Sequence, residues 1–239
     1  MHPLDNVIWN ALNTRLAEFA QAYDQARRFV PDVSPLGAFA EPNDQGYESA
    51  GVLLGEGQTI GLFLEKPYQP RPGWKIIAAM PMPQMVYSGE PANLIASRES
   101  DHQIVDLGTE HVPQMMTLTA LTKPGPFNKR THELGRYIGI FYESQLVAMA
   151  GERLKVPGYT EVSAVCTHPD HTGRGHARLL MTDVIRRILD RGEIPFLHVR
   201  GDNLHAIALY ERMGFKQRVL SHLAVLRKDS SVNDGESKD

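Results

Sequence analysis

"CTHPDHTGRGHARLL", residues 166–180, runs from β-prone residues through a proline and a turn into two glycines and an amphipathic run. It sits where a strand hands over to a helix. "TEVSAVCTH" ahead of it reads as strand. "RGHARLLMTDVIRRILDRG" after it reads as helix, with Ala177, Leu180, Val184 and Ile188 as the buried stripe, Gly192 as the stop and Pro195 just beyond. A helix start holds several backbone N–H groups with no intrahelical partner, together with the positive end of the helix dipole. Both favour an anion there, phosphate above all. Gly173 and Gly175 lack a Cβ and let backbone approach a bulky ligand closely. Ala177 extends the small-residue path by a turn, and Arg174 and Arg178 add positive charge. The stretch reads as a pyrophosphate cradle.

Elements on either side give the cradle its setting. "HQIVDLG" is a strand candidate, and "TEHVPQMMTLTALT" a helix with Thr109 at its N-cap and Pro113 in its first turns. "RYIGIFY" and "QLVAMAGERL" form a hairpin about the turn "ES". "PFLHVR" is a short strand, "NLHAIALYERMG" a second helix, and "FKQRVL" and "SHLAVLRK" two terminal strands. A strand–helix–strand unit among hairpins predicts an α/β (α+β) fold with a mixed sheet. In it, the strands ending near His168 and Arg200 are parallel neighbours joined by a right-handed crossover. Upstream, Ile8, Leu12, Leu16, Phe19, Tyr23 and Ala26 recur at steps of three and four, which predicts a helix over 5–29. "YESAGVLLGEG" reads as a short helix, "QTIGLFLEK" and "GWKIIAAM" as strands, and the proline-punctuated "PMPQMVYSGEPANL" as a connection. A boundary near residue 100 divides an N-terminal α/β region, 1–100, from a domain over 101–228. The polar tail 229–239 is expected to be disordered.

The bulk numbers exclude several classes. The chain has 239 residues, 42% hydrophobic and 22% charged, with a net charge of −3. That is an ordinary globular composition and gives no support to a nucleic-acid or anionic-membrane partner. Cys166 is the single cysteine, so no disulfide forms within the chain and a reducing, cytoplasmic compartment is the natural reading. "MHPLDNVIWN" has the character of neither a signal peptide nor an anchor, and no window approaches the ~20 apolar residues of a membrane span. His168, His171 and His176 stand near one another, but no cysteine or carboxylate accompanies them at zinc spacing, so no metal is expected. Cys166 with His168 reads as a buried small hydrophobe in a strand rather than a thiol nucleophile.

Three glycine-rich patterns compete for residues 172–178. A P-loop requires Gly-Lys-Ser/Thr, which is absent, and a dinucleotide fingerprint requires a third glycine where Arg178 stands. The third pattern is Arg or Gln, two spacers, Gly, one spacer, then Gly or Ala. It falls on Thr172, Gly175 and Ala177 after "HPD" and resembles the acetyl-CoA signature of the GNAT superfamily of N-acetyltransferases. Thr172 departs from that pattern. A second constellation strengthens the resemblance. Asn203, Ala206 and Tyr210, spaced by three and four, share one helix face that carries an amide, a methyl and a phenol, and "GF" follows. This looks like the closing motif of GNAT enzymes. The resemblance covers residues from about 102 to 228, and the wording around "AVCTHPDHTGRGHA" looks closest to glycine N-acyltransferases. Some relatives in that branch hold a degenerate GNAT-like copy upstream, a reading open to residues 1–100.

The resemblance implies the GNAT fold, a mixed and mostly antiparallel sheet with splayed central parallel strands. It implies acetyl-CoA as co-substrate and direct transfer of an acetyl group, in a ternary complex, to a primary amine of a small molecule, amino acid or peptide. Coenzyme contacts would come from Val165, Cys166 and Thr167 on the strand, and from Thr172, Gly173, Arg174, Gly175, His176, Ala177 and Arg178 at the helix start. Asn203, Ala206 and Tyr210 would complete them. Tyr210 would also be the acid that protonates the departing sulfur; a neutral phenol is a donor at pH 7. A kink at Val165–Cys166 would free backbone N–H groups. If alternation holds, Glu161, Ser163, Val165 and Thr167 share a strand face, which makes Glu161 the candidate base and His198 the reserve. The alternative function is a non-catalytic acyl-CoA-binding regulatory module of the same fold. A homodimer is compatible with either reading, and no nucleic-acid or membrane partner is expected.

Overall fold

The computed structural model describes residues 2–90 and 103–229. The tail from residue 230 onward, expected to be disordered, lies outside the described residues, as does the point near residue 100. The helix expected over 5–29 is instead a single short helix, α1 (Val7–Leu12), followed by the hairpin β1 (Ala20–Tyr23) and β2 (Ala26–Phe29). Asp24 takes a φ of +40° at the reversal, and its carboxylate accepts from Gln45 Nε2 and Ser49 Oγ. That anchor turns the chain back where helical spacing alone would have carried it on. β3 (Gly37–Phe39) completes a three-stranded antiparallel sheet. α2 (Asp44–Leu53) packs on it, its first turn capped by Asn43, which accepts the Gly46 N–H at 2.9 Å.

The second sheet organises the molecule. Its strands are β4 (Thr59–Leu64), β5 (Trp74–Tyr87), β6 (Ile104–Leu107), β7 (Tyr137–Tyr142), β8 (Gln145–Val156), β9 (Tyr159–Thr167), β10 (Ile194–His198) and β11 (Phe215–Lys228). Across the sheet they run β4-β11-β5-β10-β9-β8-β7-β6. Every neighbouring pair is antiparallel except β9 and β10, the parallel pair the crossover predicts. Among the described residues, three further α-helices follow: α3 (Val112–Thr122), α4 (His176–Asp190), which forms the crossover, and α5 (Leu204–Arg212). Gly108, not Thr109, caps the short 3₁₀ turn that leads into α3.

This sheet draws strands from both sides of residue 100. β5 lies between β10 and β11 and β4 beside β11, so the upstream region contributes two strands to this sheet as well as forming the three-stranded one. The proline-rich stretch after Met80 is not a connection: β5 continues through Pro81 and Pro83 to Tyr87. Alternate residues of a strand aim their backbone polar groups to the same side. Both proline carbonyls accept bonds from Gly201 and Val199, past the end of β10, where a missing N–H costs little. The two terminal strands expected from sequence are likewise one strand, β11, shifted in register between Gln217 and Val219. The β7–β8 turn is the expected "ES", with Glu143 and Ser144 both at positive φ.

The two faces of the sheet are filled separately. Leu197 and Val199 pack with Leu180, Val184 and Ile188 of α4. Phe196, Leu154 and Val156 pack on the other face with Val7, Ile8 and Ala11 of α1. Among the described residues no helix is long and apolar enough to cross a membrane.

Candidate active site

β9 and β10 pair only from Ile194↔Tyr159 to Phe196↔Glu161. Beyond that point the two parallel strands separate. On its other side β9 carries a bulge, because Met149 pairs with Cys166 and Gly151 with Ser163, leaving Ala164 and Val165 opposite Ala150 alone. Ala164 sits at φ +53°, a conformation that costs a non-glycine residue about 1–3 kcal/mol. The kink therefore lies one residue earlier than Val165–Cys166. It interrupts the alternation that placed Glu161 on one face with Val165 and Thr167.

Glu161 is held differently from a general base. Its side chain is fully buried, and all four acceptor directions are engaged. Arg153 Nε and Nη2 donate to it at 2.8 and 2.9 Å, and the Leu154 N–H at 3.3 Å. His198 Nδ1 lies 2.7 Å from its Oε1. Arg153 and Leu154 reach it together because they form a second bulge, on β8, opposite Glu161. Burial alone would raise this carboxyl, but the Arg153 guanidinium and His198 outweigh it and hold its pKa down at about 2. A carboxylate so stabilised is a poor proton acceptor. His198 is occupied as well: its Nε2 lies 3.2 Å from Gln84 Nε2. Leu4 O and Arg218 Nη1 fix that amide, the first accepting from Nε2 and the second donating to Oε1. The network therefore assigns the histidine proton to Nδ1 and its lone pair to the Gln84 amide. Arg153, Glu161, His198, Gln84 and Arg218 thus form one hydrogen-bonded row across five adjacent strands, β8 to β11, closed by an Arg218–Asp5 ion pair. The row fastens the sheet at the point where β9 and β10 part.

Above it, α4 begins at an open end. Gly175 is the N-cap at φ +79°, and no side chain caps the helix. Gly173 has φ +75°, so both glycines adopt backbone that other residues rarely take. A Cβ built at either would meet nothing within 4 Å. Space is thus kept clear over the helix start, where backbone N–H groups lie beyond the intrahelical ladder, a shape that fits a diphosphate. Arg178 lines this space. Arg174 points elsewhere: it is exposed, and its Nη2 lies 3.4 Å from the Asp170 carbonyl. Thr172 also lines it, with its hydroxyl donated to the Pro169 carbonyl at 2.9 Å, and His176 is buried at the helix start.

One cavity of about 710 Å³ joins these parts, a size suited to a small-molecule site. From the helix start it passes Ala177, the bulged strand at Val165, Cys166 and Thr167, and the α5 face of Asn203, Ala206 and Tyr210. Asn203 also caps α5, its Oδ1 accepting the Ala206 N–H at 3.1 Å. Burial, and then the neighbouring Cys166, raise the Tyr210 phenol to about 12, so it stays protonated. Burial lifts the Cys166 thiol to about 11 despite bonds with Thr122 and the Met149 backbone, so it is no thiolate nucleophile at neutral pH. Glu161 lies under the cavity rather than on its wall. The far end was not legible in the sequence: Leu36, Phe63, Met80, Met82 and Leu223 line it, from strands and loops with no motif. Arg153, also unforeseen, had one signal, a charged pair in the otherwise apolar run "VAMAGERL".

Splayed parallel strands, an open helix start and a tyrosine-bearing helix meet around one cavity, and the comparisons name the family that shares this fold. The chain belongs to the GNAT family. It is 36% identical to a protein of Novosphingobium aromaticivorans DSM 12444 assigned to the GNAT family of acetyltransferases, over 96% of this chain and 100% of that one, with a TM-score of 0.86. Residues 137–223 match a family described as "FR47-like protein". N-alpha-acetyltransferase RimI of Mycobacterium tuberculosis is 36% identical over 100 residues, 39% of this chain and 61% of that protein. Mycothiol acetyltransferase of Rhodococcus opacus is 40% identical over 62 residues, 26% of this chain. The match spans only 20% of the length of that second enzyme.

Proposed function

We propose that the protein is an acetyl-CoA-dependent N-acetyltransferase acting on a primary amine by direct transfer in a ternary complex. The observation that carries this reading is the open α4 start, with its two Cβ-free positions, in the same cavity as Tyr210 and the Ala164 bulge. Relatives named N-alpha-acetyltransferase and mycothiol acetyltransferase support an acetyl donor, and the former an amine acceptor. The wording of residues 164–177 supports the glycine N-acyltransferase branch.

The first-turn N–H groups of α4 and the Arg178 guanidinium hold the diphosphate. The strand edge at Val165–Thr167 and the Asn203–Ala206 face take the arm that follows. Bound acetyl-CoA would supply the acyl group and a thiolate leaving group. Backbone N–H groups loosened at the Ala164 bulge stabilise charge on the thioester oxygen. Tyr210 gives its phenolic proton to the departing sulfur, and the phenolate regains one from the nitrogen as the amide forms, directly or through solvent. The Glu161–His198 pair fixes the splay instead of abstracting a proton, so the acceptor attacks as the free amine. Residues 1–90 serve the acceptor end of the same cavity.

Thiol release from acetyl-CoA, followed with a disulfide dye across a panel of primary amines, tests the reading. Amine-dependent release is expected, with kcat/KM rising tenfold per pH unit until the amine's own pKa, because no enzyme group removes the proton. Acetyl-CoA binding with no amine-dependent release would instead favour the regulatory module.

A further inference from the structure

The acceptor end of the cavity has a chemical character that narrows the substrate class. Beyond the row at His198 its walls are Leu36, Phe63, Met80, Met82 and Leu223. Among the described residues no aspartate or glutamate lines any part of the cavity; its ionic groups are Lys123, Arg153, Arg178 and Arg200. Two carboxylates bordering it are engaged, Glu161 by Arg153 and His198, and Asp202 by the lining Arg200 at 2.6 Å. A polycation entering here would lose hydration and, among the described lining residues, find no carboxylate to replace it. An apolar body would gain roughly 25 cal/mol for each Å² of hydrocarbon it buries. Methionines and a phenylalanine are adaptable packing partners for such a group. The same walls disfavour an ammonium and favour the free amine, the form that attacks a thioester.

Building on the N-acetyltransferase reading, we propose that the acceptor is a primary amine with an apolar, uncharged body, seated against Phe63, Met80 and Met82 and bound without its proton. Polyamines and lysine-rich segments are disfavoured, since no carboxylate among the described residues faces the cavity. The upstream region thereby sets acceptor selectivity.

Calorimetric titration of the full chain, free and loaded with coenzyme A, with 2-phenylethylamine, ethanolamine and spermidine separates the outcomes. 2-Phenylethylamine should bind at least tenfold more tightly than the other two, and its affinity should rise close to tenfold per pH unit below its own pKa. Met82→Gln, at a half-buried strand position, should weaken it at least tenfold, with far-ultraviolet circular dichroism checking the fold. Equal or tighter binding of spermidine or ethanolamine, no binding of 2-phenylethylamine, or pH-independent affinity would overturn the proposal. Failure of coenzyme A itself to bind counts against the acetyltransferase reading, and the amine ranking measured on the free protein still judges this one.

Discussion

Tyr210→Phe should lower kcat by about 10²–10⁴-fold while coenzyme A affinity stays within a few-fold. Phenylalanine keeps the ring and its edge-on contact with Phe215, whose centroid lies 6.2 Å away, so the exchange isolates the hydroxyl. Among the described residues that hydroxyl has no hydrogen-bond partner, and its pKa of about 12 keeps it a donor across the working range. A group free of protein bonds, protonated and beside Cys166 at the bulge suits a proton donor to sulfur. Steady-state kinetics at saturating amine measures the effect. Unchanged kcat would remove Tyr210 from the step.

The second large effect is on stability. Glu161→Ala should cost about 3–5 kcal/mol in urea unfolding, because it strands the buried Arg153 guanidinium and frees the His198 ring. The pH dependence carries a sign. The native pKa of about 2 lies below the unfolded value of about 4.3, so the carboxylate's contribution is complete above pH 4.3. It is lost as pH falls towards 2 and amounts to about 3 kcal/mol. The alanine variant should lose that acid sensitivity. Glu161→Gln separates position from proton transfer: it should destabilise the fold, yet the folded enzyme should retain more than a tenth of its kcat. A hundredfold loss of kcat in a variant as stable as the parent would restore Glu161 as the base.

Local chemistry decided what the sequence could disclose. The α4 start was legible because two glycines, an N-terminal turn and an amphipathic stripe follow one another along a single stretch of chain. The α5 face was legible because spacings of three and four fix a helix surface. The neighbours of β5 were not, since its insertion between β10 and β11 depends on contacts more than 100 residues apart. Pro81 and Pro83 argued locally for a loop, and only the sheet shows that both face the end of β10. Helical spacing misled at residues 13–29, where Asp24 and its bonds to α2 turn the chain. Glu161 was placed correctly on its strand, but its saturation by Arg153, Leu154 and His198 was not legible, because it comes from a bulge in β8 that no periodicity announces.

The account depends most on the open end of α4 gripping a diphosphate. Calorimetry of coenzyme A with the parent protein and with Gly175→Trp, whose indole would fill the space now clear above the helix start, tests this most directly. Binding by the parent and at least a hundredfold loss in a variant of unchanged circular dichroism is the predicted result. Equal affinity in the two proteins would contradict it.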